Sequence, residues 1–432
     1  MVLAWTVVAT VLLILHLPIL FVVPYAYWQR RHEDVIKHRR PRLVTATCIA
    51  LALFSVQQIC RILLADYIGV WFDCMFGICL LQISLEGLFL FTLSLYIAYN
   101  KTCHQLAIFA KTGSSSEDEI RSLRMQRLLL TDKFAAIWIV VNVSIGLLAI
   151  LIYAFAVDIS GLNTLIIEVD KGNWTLPSCV LITTIRALIT VILYLLLSFK
   201  LRLVQDAFGS KQMLRRIGIA SFFFAAVYQL TWNINFGQIA MALAADWAIF
   251  NLCILPMIKT RQPSAAKRRG STYASDFVKF IETERGFAAF RSYLETEFSV
   301  ENLLFWKETM DFKANFGKDH AQDRLRANAI CNKYLTPLAP LEVNLPGSII
   351  DSIQSKLRFG HNEITASMFD TAAVQIVQLM ETDSLMRFTQ TEPPIWQEFV
   401  MANTADQFLT DSSAKPMTTK IPTSIVAVSF NE

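Results

Sequence analysis

Glu86, Arg186 and Asp246 stand in the middle of apolar runs, where an isolated charge is costly and therefore pairs with another group or faces a bundle interior. At 1.5 Å of rise per residue they lie at similar depths below the same ends of their helices. Two carboxylates can then flank one guanidinium, with Gln82, Gln229 and Asn233 as further partners. Such a cluster reads either as a polar network that fixes helix packing or as a pocket for a small molecule. Nothing in the residues identifies a ligand. Arg61, nearer a helix end, is expected to snorkel to the interface.

A second set of polar residues lies outside those runs. Ser299 is placed to cap a helix that opens with Val300 and Glu301, with the acid in the first turn where the helix dipole favours it. Asp383 and Ser384 repeat that start signal before Leu385. Asn344 sits in a stretch from Thr336 to Gly347 that holds three prolines and must be a loop. The eight cysteines have no zinc spacing, and Cys48, Cys60, Cys79 and Cys253 sit in apolar runs as small hydrophobes. No metal, cofactor or nucleic-acid partner is expected.

The elements that carry these residues fall into two kinds. Of 432 residues, 54% are apolar and 17% charged, too greasy for an ordinary soluble chain. Apolar runs of about 20 residues recur as far as Ile258, each long enough to cross a bilayer. Seven spans are expected: Leu3–Tyr27, Leu43–Leu64, Cys74–Tyr99, Phe134–Val157, Cys179–Phe199, Ile217–Trp232 and Phe236–Ile258. The first lacks a basic leader and a cleavage pattern and reads as retained; Val2 excludes myristoylation. Lys and Arg crowd the segments Arg30–Arg42, Lys101–Lys133, Lys200–Arg216 and Lys259–Arg269, whereas the alternate loops offer only Lys171. The positive-inside rule then sets the N-terminus outside and everything after Ile258 in the cytoplasm.

Cys74 and Cys179 open spans on the outer face, where a disulfide between them is permitted. Asn173-Trp174-Thr175 is a candidate glycosylation sequon in the same outer loop. Residues 259–275 form a basic linker able to touch anionic lipid, and Ser271 after Arg268-Arg269 is a candidate phosphorylation site. Residues 276–400 form a soluble domain, and 401–432 a polar, flexible tail. Within the domain, Phe287, Phe290 and Leu294, then Leu303, Trp306 and Met310, then Phe369, Ala373, Ile376 and Met380 recur at helical spacing. The fold class is all-α. No acidic-Arg-Tyr triplet closes the third span and no Asn-Pro-x-x-Tyr the seventh, so ordinary rhodopsin-like receptor activity finds no support.

Glu282-Thr283-Glu284-Arg285-Gly286-Phe287, then Phe290-Arg291-Ser292-Tyr293-Leu294, then Glu297-Phe298-Ser299-Val300-Glu301-Asn302-Leu303-Leu304-Phe305-Trp306 resemble the opening of a regulator-of-G-protein-signalling (RGS) domain. Glu342-Val343-Asn344-Leu345 and the run from Leu379 to Phe388 continue the likeness. Seven spans followed by such a domain is similar to the plant-type seven-transmembrane RGS proteins. The resemblance implies a nine-helix bundle that grips the switch loops of GTP-bound Gα and speeds its GTP hydrolysis, without itself being an enzyme. It implies contacts from Glu297, Phe298, Ser299, Glu301, Asn302, Asn344, Leu379, Asp383, Ser384 and Arg387. Val300 and Pro346 depart from the family's usual acidic or polar residues, which bears on partner selectivity. The expected protein is a multi-pass brake on G-protein signalling at the plasma membrane, with endosomal membranes as a further location. The alternative is a seven-transmembrane receptor whose bundle binds an extracellular small molecule and controls the attached domain.

Overall fold

The computed structural model describes residues 2–110, 117–156, 164–170, 177–201, 209–231, 235–260, 273–318, 320–337, 339–359, 364–391 and 394–403. Among them every regular element is helical, apart from one isolated antiparallel bridge between Gly69 and Leu165. Contacts group the chain into two compact units: Met1–Ala265 with Ser292–Ile376, and Ala266–Arg291 with Val377–Glu432. Residues 292–376 thus pack in one unit with the apolar helices, a grouping that a linear boundary at residue 258 does not anticipate.

Seven long helices of the first unit stand where spans are expected: α1 (Val2–Gln29), α2 (Pro41–Leu63), α3 (Val70–Ala110), α5 (Asp132–Ala156), α6 (Pro177–Lys200), α7 (Ser210–Thr231) and α8 (Asn235–Ile249). The polar helix α4 (Glu117–Leu129) lies between α3 and α5. Over the described residues, the stretches Trp5–Gln29, Pro41–Leu63, Val70–Ala110, Asp132–Ile152 and Asn235–Ile258 are long and apolar enough to cross a membrane. The helices α6 and α7 are not among these stretches over the described residues, and α7 opens with Lys211, Arg215 and Arg216. The helix α8 continues through a π turn, Phe250–Ile254, into Leu255–Thr260. Pro256 lacks an N–H and its ring crowds the carbonyl four residues back, so a wider register just before it relieves both problems. α3 runs on to Ala110, well past the expected end at Tyr99.

Residues 292–376 of the first unit are built on α10 (Glu284–Glu297, from Ser292 onward), α11 (Glu301–Asn315), α12 (His320–Ile330, extended by a π turn Cys331–Leu335) and α13 (Gly347–Phe359). Leu303, Leu304 and Phe305 are fully buried. Phe305 meets Tyr334 edge-on at 5.3 Å, and Phe312 meets Phe369 at 5.2 Å, geometries that add about 0.5–1.5 kcal/mol each beyond burial. In the second unit α9 (Tyr273–Glu282) supplies Phe277 and Phe280. Phe280 contacts Phe388, Trp396 and Phe399 at 5.1–5.7 Å, and Phe290 lies between Phe277 and Phe388. Gly286 makes this packing possible: a Cβ there would lie 2.0 Å from the backbone oxygen of Phe280.

Candidate functional site

Glu297 closes α10 and is held by Tyr293, whose hydroxyl donates to its carboxylate at 2.6 Å. The helix then stops on Phe298, a non-glycine residue at φ 58°. Phe298 N–H donates to Glu295 O at 3.3 Å and Ser299 N–H to Leu294 O at 3.1 Å, the two bonds of a Schellman stop. Glycine usually occupies that left-handed position because a Cβ there costs about 1–2 kcal/mol. Arg40 shares such a conformation at φ 50°, but Phe298 is the one that the resemblance assigns to partner contact. Ser299 does not cap the next helix. Val300, one residue later, sits at the cap position of α11 with no side-chain bond, and the Oγ of Ser299 is buried without a partner among the described residues. Glu301 likewise keeps a buried Oε2 without a partner among the described residues. Asn302 is half-buried, with no side-chain hydrogen bond among the described residues.

Asn344 is presented by a short extended segment. Leu341 N–H donates to Lys333 O at 2.9 Å and Val343 N–H to Tyr334 O at 3.1 Å, which pins the segment along the π turn. Leu341, Val343 and Leu345 are buried, while Glu342, Asn344 and Pro346 are exposed. This is the period-2 alternation of extended backbone, so the apolar residues anchor the segment and turn Asn344 outward. The π turn beneath is firm: Lys333 bonds Glu308, and burial pushes the Cys331 thiol up to about 12, leaving it inert at neutral pH.

In the second unit, Leu379, Asp383 and Arg387 are half-buried and Ser384 is buried. They do not flank a fresh helix start. The helix α14 (Asp370–Met380) runs without a break through a π turn, Glu381–Leu385, into Met386–Thr391. Asp383 and Ser384 lie inside the π turn, whose wider register re-aims side chains that a regular helix would stack. Burial raises the carboxyl of Glu381 beside them.

Glu86, Arg186 and Asp246, expected to cluster, separate into two networks. Glu86 is buried and accepts from Gln82 Nε2 at 2.7 Å, Trp138 Nε1 at 2.7 Å and Thr190 Oγ1 at 3.2 Å. Arg186 passes over Gly146, where a Cβ would lie 2.0 Å from its Nη1, and donates to Asn142 O at 2.5 Å. Asp246 instead faces His16, with Nε2 to Oδ2 2.5 Å, and accepts from Ser55 Oγ at 3.2 Å. No ion pair or hydrogen bond among the described residues joins Glu86, Arg186 and Asp246 to one another. Equal depth placed them at one level, but α8 packs against α2 while Glu86 turns toward α5 and α6. His16, the partner of Asp246, carried a visible signal as the lone histidine of the first apolar run. Arg61 pairs near the helix end, its Nη1 3.2 Å from Asp73, which also bonds Gln57. Asn173, Ser271, Asn233 and the side chains of Cys74, Cys179 and Gln229 fall outside the described residues. No group of three or more His, Cys, Asp or Glu among the described residues is arranged to hold a metal ion.

Residues 276–399 match the family model described as the regulator of G protein signaling domain. Among curated relatives, the chain is 30% identical over 161 residues to Regulator of G-protein signaling 1 of Xenopus laevis, covering 34% of this chain and 77% of that protein. It is 36% identical over 117 residues to Regulator of G-protein signaling 19 of Homo sapiens, covering 27% of this chain and 51% of the relative. With Regulator of G-protein signaling 20 of Bos taurus it shares 34% identity over 126 residues, 29% of this chain and 32% of the relative. The chain thus spans about a third to a half of the length of the human and bovine relatives.

Proposed function

We propose, because this chain belongs to the regulator of G-protein signaling family, that it is a membrane-held GTPase-activating protein for Gα. The observation that carries the reading is Asn344, exposed and, among the described residues, without an internal side-chain hydrogen bond, on a segment anchored by Leu341, Val343 and Leu345. The unpartnered Ser299 Oγ and Glu301 Oε2 support it, since buried polar atoms left open in a folded protein call for a reason.

Gα carries its own arginine and turns over GTP at about 10⁻² s⁻¹, so a helper has no catalytic group to donate. What it can do is hold mobile switch loops, and the glutamine that orients water, in the geometry of the transition state. Only contacts stronger there than in the ground state accelerate hydrolysis. A short amide on a pinned segment suits this, because little of its freedom is lost when it binds. Glu297, Phe298, Ser299, Glu301, Asn302, Leu379, Asp383, Ser384 and Arg387 complete the proposed contact set. The apolar helices and the alternation of basic loops support a multi-pass protein at the plasma membrane with its N-terminus outside. Tethering beside lipidated Gα raises the effective concentration of the two partners.

The test is single-turnover GTP hydrolysis by a panel of Gα subunits with the full chain in lipid nanodiscs. Asn344→Ala leaves a partner group unsatisfied, a loss of about 1–3 kcal/mol, and so lowers the acceleration about 5- to 150-fold with helix content unchanged. Full acceleration by a folded Asn344→Ala variant would end this reading.

A further inference from the structure

Beyond Tyr99, α3 continues through Gln105 and Phe109, one helical turn apart and therefore on one face. Gln105 is fully buried and donates through Nε2 to Pro340 O at 3.2 Å. The ring of Phe109 lies 5.0 Å from the ammonium of Lys333. From α4, Arg127 reaches the same segment: Nη1 to the Glu342 carboxylate at 2.5 Å, and Nη2 to Ala339 O at 2.5 Å and Pro340 O at 3.3 Å. Phe298, at the other proposed contact point, packs against the apolar cluster of the long helices, in company with Tyr96 and Tyr99.

These contacts fall on the working face. Glu342 and Asn344 alternate with buried neighbours, so both point outward, separated by about 7 Å along extended backbone. A helix is about 10 Å across with its side chains. A helix fixed to Glu342 therefore overlaps the space a partner needs to grip Asn344, while the bundle already occupies one side of Phe298.

Resting on the Gα reading, we propose that the ends of α3 and α4 form a built-in inhibitory dock that covers part of the Gα face, with Arg127 as its latch. The fork of an arginine shared between a carboxylate and two carbonyls sets the register of the docked segment. Each bond is modest where solvent reaches it, so the latch can open and close. Docked, the domain is slowed; released, it accelerates hydrolysis fully.

The test uses the full chain in nanodiscs, with Arg127→Glu and Glu342→Arg singly and together, and single-turnover hydrolysis by GTP-loaded Gα as readout. Each single variant breaks the latch from one side and raises the rate, within the roughly 5- to 150-fold range of allosteric coupling. The double swap restores the pair and returns the rate toward wild type, and Asn344→Ala abolishes the gain when added to Arg127→Glu. If wild type accelerates hydrolysis and both single variants match it or fall below it, the dock is overturned and the Gα reading stands. If no variant accelerates hydrolysis and none binds Gα in its GDP–aluminium fluoride form, the Gα reading falls and the dock with it.

Discussion

Asp246 and Glu86 solve the same problem, a carboxylate in apolar surroundings, with different partners. Glu86 is satisfied by three neutral donors from its own helix and from α5 and α6; Asp246 takes an imidazole and a hydroxyl from α1 and α2. His16→Ala should therefore destabilise the long helices by about 1–3 kcal/mol, the cost of an unsatisfied buried group, read as a lower unfolding midpoint in detergent. His16→Gln, which can still donate to Asp246, should recover part of that loss; an unchanged midpoint for His16→Ala would remove the pair from any structural role. That Glu86 and Asp246 need partners was legible from their apolar neighbours. Which partner each takes was not, because His16 and Asp246 lie 230 positions apart and depth along a helix says nothing about its azimuth. Arg127 was hidden for another reason: counted as one of many basic loop residues, it could not be told from charges that only orient the chain.

Helices were the easiest elements to read, since their periodicity extends over several turns. Their ends were not. Ser299 looks like a cap by type, but the backbone had already turned at Phe298, a position where glycine would have announced the stop. Asp383-Ser384 looks like a start, yet a π turn carries the helix through it, and side-chain types do not reveal a change from four- to five-residue register. The anchoring of Asn344 was partly legible, in the alternation of Leu341, Val343 and Leu345, though the prolines around it read first as a plain loop. Gly286 joins α9 to α10 at a point where no Cβ fits. Gly286→Ala should destabilise the second unit by about 1–3 kcal/mol through overpacking against the Phe280 carbonyl. Chemical denaturation followed by tryptophan fluorescence at Trp396 would measure it, and a neutral result would mean that the α9–α10 turn yields freely.

For the whole molecule, the charge pattern makes a prediction that composition cannot. In sealed vesicles an impermeant maleimide should label Lys171→Cys from outside and the exposed Cys103 only after permeabilisation, in a chain whose other cysteines are replaced. Labelling in the reverse order would invert the topology and detach the domain from the side where Gα resides. The length of α3 bears on the same question. Its 41 residues extend about 60 Å, twice the roughly 30 Å hydrocarbon core of a bilayer, so in the membrane setting proposed above it works like an oar held in a rowlock. A tilt of about 5° around its midpoint would swing the blade at Gln105 and Phe109 by about 2–3 Å, given a half-length near 30 Å. The bond from Gln105 Nε2 to Pro340 O is 3.2 Å long, so a stroke too small to reorganise the buried handle is large enough to lift the blade off its load.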